Sequence, residues 1–291
     1  MALIFKQDSN FRIAQVTDIH LKEYPLTKND QEILVDIEKG LRALNPDLIV
    51  ITGDLLNSFQ NQHERQLLEL FFHFLNRFDV PKAITYGNHD AEYKMSRQDY
   101  DDLFEEIVEL TVVRKHEKIL GGLTQYCIEI FNQEKELERV LYVMDSGKVS
   151  PSPNRTNDWI LPEQVLWFRE ASQKYIDMRN NLFFLHIPLP EYIYARENIL
   201  NGQIGEPNRL ISASRINTGL FSELFFSKQI FGVFCGHNHL NNAELIWENI
   251  HLIYGLFSGK EDKAKDFRGI RYIDLIEENH EVITNCLFYE K

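Results

Sequence analysis

Five times along this chain a short apolar run ends and residues that bind cations follow at once. The run 11–16 leads into Thr17-Asp18-Ile19-His20, and the run 48–51 into Thr52-Gly53-Asp54. Residues 82–85 lead into Tyr86-Gly87-Asn88-His89-Asp90, residues 182–185 into His186, and residues 230–235 into Gly236-His237-Asn238-His239. Each run has the length and apolar character of a buried strand. Between the runs lie segments with helical spacing. In residues 31–44, Ile33, Leu34, Ile37, Leu41 and Leu44 share one helical face, with Asp30 as the expected N-cap. Residues 63–78, 98–109, 162–178 and 217–227 also predict helices, and Pro162 suits the first turn of its own. Strand and helix in alternation call for parallel pairing with crossover helices.

In an open parallel sheet, sites form beyond the carboxyl ends of the strands. Asp18, His20, Asp54, Asn88, His186, His237 and His239 would then share one rim. Imidazoles mixed with hard oxygen donors suit a pair of borderline divalent metals. Gly53, Gly87 and Gly236 allow the sharp turns and close backbone approach such a rim needs. Taken singly, Gly-Asp behind a strand is ordinary turn chemistry. The whole succession, each motif behind its own strand, is not.

The rest of the chain fits around this frame. Residues 123–130 and 139–144 read as strands flanking a charged hairpin at 132–138. Residues 243–247, 250–254, 270–276 and 282–287 alternate like antiparallel strands. No repeat, low-complexity tract or linker interrupts the 291 residues, so residues 1–291 are expected to form a single domain with two sheets face to face. The net charge of −13 repels polyanions and argues against duplex nucleic acid as a partner. It does not argue against a phosphorylated substrate, since bound cations attract phosphate locally. The three cysteines, Cys127, Cys235 and Cys286, match no zinc spacing and are expected to be reduced. The apolar run Ala2-Leu3-Ile4-Phe5 is shorter than the ~7–15 residues of a signal core, and no stretch approaches the ~18 apolar residues of a membrane helix. A cytoplasmic chain with no membrane partner is the expectation, and the sequon Asn154-Arg155-Thr156 is then a chance match.

The order Asp-x-His, Gly-Asp, Gly-Asn-His-Asp, His, Gly-His-x-His resembles the calcineurin-like metallophosphoesterase superfamily. More narrowly, the chain is similar to the short purple-acid-phosphatase-like branch. Supporting segments are Leu141-Tyr142-Val143-Met144-Asp145-Ser146-Gly147, Asp158-Trp159-Ile160, Gln164-Val165-Leu166-Trp167-Phe168 and His186-Ile187-Pro188-Leu189-Pro190-Glu191-Tyr192, with residues 212–242 following the same pattern. The resemblance spans about residues 11–275. It implies an α/β fold, a four-layer α-β-β-α sandwich of two mixed β-sheets flanked by helices.

By the same resemblance, Asp18, His20 and His239 hold one metal, Asn88, His186 and His237 hold a second, and Asp54 bridges both. His89 and Asp54 are the catalytic residues, with His89 contacting the phosphate and protonating the leaving oxygen. Asn88 and His89 contact substrate. Asp90 either orients a histidine or is an exposed turn carboxylate. Typical purple acid phosphatases carry an iron-binding tyrosine four residues after the glycine of Gly-Asp; here that position is Asn57, a candidate substrate contact instead. The cofactor expected is therefore two divalent or trivalent ions of manganese, iron or zinc. The arginine that protein serine/threonine phosphatases carry just after Gly-Asp is absent too. Loops 150–158 and 201–214 are expected to overhang the rim, and Tyr93, Arg155 and Arg209 are further candidates for substrate contact. The implied activity is hydrolysis of a phosphomonoester, with a phosphorylated small molecule or a phosphoprotein as substrate. A phosphodiesterase is the alternative, and a silent scaffold on the same fold is the third.

Overall fold

The computed structural model describes residues 2–6, 10–148 and 157–290. In chain order the strands are β1 (Leu3–Ile4), β2 (Asn10–Val16), β3 (Leu48–Thr52), β4 (Lys82–Thr85), β5 (Lys115–Leu120), β6 (Leu123–Phe131) and β7 (Leu137–Met144). They continue with β8 (Asn181–Phe184), β9 (Ile199–Asn201), β10 (Ile230–Cys235), β11 (Glu244–Trp247), β12 (Ile250–Tyr254), β13 (Gly269–Ile276) and β14 (Val282–Phe288). The helices are α1 (Lys28–Leu44), α2 (Glu64–Leu75), α3 (Arg97–Ile107), α4 (Pro162–Gln173), α5 (Glu191–Ala195) and α6 (Leu220–Ser227).

The strands form two mixed sheets. One runs β14-β13-β2-β3-β4; the other runs β1-β6-β7-β8-β10-β12-β11-β9, with β5 also on β6. β2, β3 and β4 are parallel, as are β7, β8, β10 and β12. The strand period of two decides the layering. Phe11, Ile13, Leu48 and Val50 face the other sheet and meet Leu182, Phe184, Phe234 and Ile253 in the middle core. Their alternates Ala14, Val16, Ile49 and Ile51 turn outward onto α1, α2 and α3. On the second sheet Phe183, Val233 and Cys235 turn outward onto α4 and α6. The result is the expected four-layer α-β-β-α sandwich. Both sets of parallel strands end at the same rim, which brings the five ligand-bearing turns together.

Helix α1 starts earlier than its apolar spacing predicts. Asp30 is not the N-cap. Thr27 is, with an extended backbone, and its hydroxyl accepts from the Asp30 N–H at 3.1 Å. The Asp30 carboxylate in turn accepts from the Thr27 N–H at 3.1 Å, a reciprocal capping box. Residues 28–30 are polar, so apolar periodicity could not reveal the first turn. β5 is an edge strand of mostly exposed Lys, His and Glu, and has no apolar alternation to announce it. β9 and α5 are also unpredicted, being only 3 and 5 residues long. Part of the expected loop 201–214 is pinned: Gly205 N–H donates to Leu240 O at 2.7 Å, beside His239. No described helix is long and apolar enough to cross a membrane.

Thr27→Ala should lower stability by about 1 kcal/mol, the usual cost of losing a capping side chain. Urea denaturation checks this; an unchanged midpoint would mean that tertiary packing of α1 makes the cap redundant.

Candidate metal centre

The seven donors expected from the sequence converge. Asp18 and His20 follow β2, Asp54 follows β3, Asn88 follows β4, His186 follows β8, and His237 and His239 follow β10. One group, Asp18, His20, Asp54 and His239, has ligand atoms all within 4.8 Å of one another. A second group, Asp54, His186 and His237, meets the same limit, so Asp54 is common to both. Its Oδ2 lies 3.5 Å from His20 Nε2 and 3.2 Å from His186 Nε2. His20 Nε2 and His239 Nε2 point at each other across 3.0 Å.

Whether such a pocket suits cations can be asked of its unused atoms. Asn88 Oδ1 and His237 Nδ1 are buried and have no hydrogen-bond partner among the described residues, and His186 Nε2 faces only the Asp54 carboxylate, at 3.2 Å. Buried polar atoms are normally paired, because leaving one unpaired costs about 1–3 kcal/mol. Two such atoms on the same rim, each a good ligand, beside His186 Nε2 and the shared Asp54 carboxylate, fit a pair of metal ions. The outer nitrogens are already held: His186 Nδ1 meets Thr52 O at 2.7 Å, and His237 Nε2 lies 3.1 Å from Asn157 Nδ2. His239 Nδ1 lies 3.6 Å from the Glu261 carboxylate. Such partners fix ring orientation and choose the nitrogen left for metal.

The turns that deliver these groups are tight. Asp18, His20, Asp54 and His237 all have positive φ, between 52° and 74°, a conformation that side chains other than glycine adopt reluctantly. Backbone pairing overrides that reluctance: Asp18 N–H donates to Gly53 O, and Ile19 and His20 both donate to Asp54 O, at 2.8–3.0 Å. A Cβ on Gly87 would strike the Asp54 carboxylate, and one on Gly236 would strike Thr17 and Asp18. Asp90 neither orients a histidine nor lies exposed. It is fully buried and accepts from the backbone N–H groups of Asp54, Leu55 and Gly87 at 2.8–2.9 Å. The guanidinium of Arg97 holds that turn from the other side, donating to Asp90 O at 2.9 Å and pairing with Asp145 at 3.1 Å. Ser146 Oγ accepts from the N–H of Ile187 at 2.8 Å, so Asp145-Ser146 braces two ligand turns at once.

The sequence model of calcineurin-like phosphoesterases matches residues 11–241. The chain belongs to the calcineurin-like phosphoesterase family. Within curated proteins it is 27% identical to the probable inactive purple acid phosphatase 29 of Arabidopsis thaliana, covering 87% of this chain and 73% of the relative. It is 24% identical to a probable glycerophosphodiester phosphodiesterase of Arcobacter nitrofigilis, covering 88% of this chain and 81% of the relative. A dimetal phosphatase from Danio rerio has the same fold, with a TM-score of 0.66 at 13% identity over 96% of this chain and 99% of that one.

The phosphoesterase site balances its own charge. Burial would push the Asp18 carboxyl up, but hydrogen bonding to His239 and the charge of His186 hold it at about 2. Burial acts likewise on Asp54, and the surrounding imidazoles, His186 first, keep it well below the usual range. Burial would lower His186, yet Asp54 lifts it to about 9. Burial would also lower His239, yet Asp18 and Glu261 lift it to about 10. In His20 and His237 burial wins, and they fall to about 4 and about 3. At neutral pH two carboxylates therefore face two imidazolium rings. Asp90, under the centre, is pushed up to about 7 by burial and by Asp54.

His89 sits beside the two groups, its ring 5.4 Å from that of His20. Its Nδ1 meets the Glu92 carboxylate at 2.9 Å, and that hydrogen bond raises its pKa despite partial burial. The other substrate candidates fare differently. Asn57 is exposed, with its backbone N–H bonded to Leu21 O just past His20. Tyr93 accepts from Gln62 Nε2 at 2.8 Å, and Arg209 is paired with Glu197 at 2.6 Å, both at the surface. Arg155, the sequon and most of the expected loop 150–158 lie outside the described residues. Sequence reading missed Glu92, Glu261 and Asn157. Only Glu92 had a local signal, its spacing of three from His89.

Metal loading at pH 7 should expel about two protons, because imidazolium must become imidazole to ligate. Calorimetry in buffers of different ionisation enthalpy reads this directly. Affinity should rise with pH toward 9–10, where His186 and His239 give up their protons unaided. Binding without proton release would contradict the charge balance.

Proposed function

We propose that this chain hydrolyses phosphoric esters with a pair of metal ions, and that phosphomonoesters are its preferred substrates. The observation that carries the proposal is the pair of unpartnered buried ligand atoms, Asn88 Oδ1 and His237 Nδ1, gathered with His186 round a carboxylate shared by two clusters. In this reading Asp18, His20, Asp54 and His239 hold one ion, and Asp54, Asn88, His186 and His237 hold the other. Bound there, two ions of manganese, iron or zinc would supply a nucleophilic hydroxide near neutral pH and neutralise charge on the phosphoryl oxygens.

The protein's own groups do the rest. Asp54 fixes the spacing of the two half-sites by reaching His20 and His186 with one oxygen. Its other oxygen accepts from the backbone N–H of His89 at 2.8 Å, which sets the His89 turn against the centre. Glu92 takes Nδ1 of His89 and favours the protonated ring, leaving Nε2 as the nitrogen that can give a proton to the leaving oxygen. Asn88 and His89 would also bind the phosphoryl group. Its substrate would be a phosphorylated small molecule or a phosphoprotein.

Two other readings have specific support. The likeness to a protein named as a glycerophosphodiester phosphodiesterase favours diester hydrolysis. Relatives named as probable inactive purple acid phosphatases favour a silent homologue. Against silence stands the complete donor set of this chain. Metal content and turnover of 4-nitrophenyl phosphate and bis(4-nitrophenyl) phosphate, with manganese added, separate all three.

His89→Ala should keep its metal and lose turnover by roughly 10²–10⁴, the scale of general acid catalysis. Loss of metal from that variant would mean that His89 is a ligand. Asp54→Asn should lose metal and rate together; unchanged metal stoichiometry would remove the bridging role.

A further inference from the structure

A cleft of about 520 Å³ opens beside the metal centre, lined among others by Asn157, Tyr194, Leu210, Ser212 and Arg215. It adjoins the outer edge of the centre through Asn157, which both lines the cleft and touches His237. Asn157 Nδ2 lies 3.1 Å from His237 Nε2 and donates to Ser212 O at 2.6 Å. Ser212 N–H in turn donates to Asn238 Oδ1 at 3.2 Å, so the turn that carries His237 and His239 is tied to the cleft's wall. Its lining pairs apolar surface with one cation. Tyr194 and Leu210 are 59% and 58% exposed. Arg215 is exposed and meets no carboxylate among the described residues, whereas nearby Arg209 is held by Glu197 at 2.6 Å. In a chain with a net charge of −13, an unpaired arginine at a cleft is a local exception.

We propose that this cleft binds the alcohol portion of the substrate, and that the alcohol has an apolar or aromatic body ending in a second anionic group that Arg215 receives. The inference rests on the phosphoric-ester reading and narrows it. A group esterified to a phosphoryl at the centre would leave past Asn157 and lie along Tyr194 and Leu210. Apolar surface there gains from being covered, and guanidinium binds carboxylate or phosphate with paired, charge-assisted hydrogen bonds.

The test compares 2-naphthyl phosphate with 6-carboxy-2-naphthyl phosphate, which differ by one carboxylate, on the metal-loaded protein. The expected KM is about tenfold lower for the carboxylated ester, the effect of one charged hydrogen bond. Arg215→Ala should abolish that preference and Arg215→Lys should keep part of it, while Tyr194→Ala should raise KM for both esters. Arg215 and Tyr194 are exposed, so these variants should fold. Equal KM values in the unaltered protein, or a preference that survives Arg215→Ala, would overturn the proposal. If neither ester is hydrolysed, the phosphoric-ester reading has failed, and fluorescence titration with the intact carboxylated ester then tests the cleft alone. Saturable binding lost in Arg215→Ala supports it; no binding overturns it.

Discussion

A carboxylate sealed from water where two sheets meet needs partners on every side, and the rest of this rim supplies them. Asp54 is 1% exposed, and a buried charge is tolerated only with partners. One oxygen takes the backbone N–H of His89, and the other stands between His20 and His186. Its own N–H is held by Asp90, whose carboxylate also takes those of Leu55 and Gly87. Asp54 is thus fixed through its backbone as well as its side chain. That matters because its φ of 53° is unfavourable by itself, and such conformations last only where surrounding contacts over-determine them.

The same demand explains the polar seam under the centre. Gln15, fully buried on β2, donates from its amide to Thr52 Oγ1 at 3.0 Å and to Cys235 O at 3.2 Å. It links β2 to β3 and to the opposite sheet through β10. His186, from the second sheet, returns the link through Thr52 O. Below this level the sheets touch mainly through apolar groups such as Ile13, Val50 and Phe234, with a few polar links such as that from Thr284 to Glu244. Apolar packing brings the sheets together but sets their relative position loosely, since it has no direction. Directional hydrogen bonds at the rim supply the register that a ligand cage needs.

How much of this was readable in the sequence follows from distance along the chain. The seven donors sit directly behind their strands, so local pattern located each of them. The buried strands were readable because residues such as Leu48-Ile49-Val50-Ile51 form continuous apolar runs, the mark of strands covered on both faces, while the four-layer arrangement followed from the family resemblance. The supporting groups were not readable. Glu261 reaches His239 from 22 positions away, and Arg97 joins Asp145 across 48. Their residue types are those of any solvated loop, and only folding distinguishes them. Asp90 could be read only as one of two alternatives, and the structure chose neither, because its partners are main-chain N–H groups that carry no sequence signature.

Charge gives the last step. Without metal, two carboxylates and two imidazolium rings leave the centre close to neutral inside an acidic surface. Nothing then attracts a phosphate against a net charge of −13. Exchange of those two protons for two divalent ions would leave the same carboxylates outweighed, and the centre would become locally positive. Long-range repulsion would still turn away polyanions, because their charge extends beyond the roughly 8–10 Å over which salt leaves a field unscreened. A small phosphoric ester would feel mostly the centre itself. An acidic surface and an anionic phosphoric ester are therefore compatible.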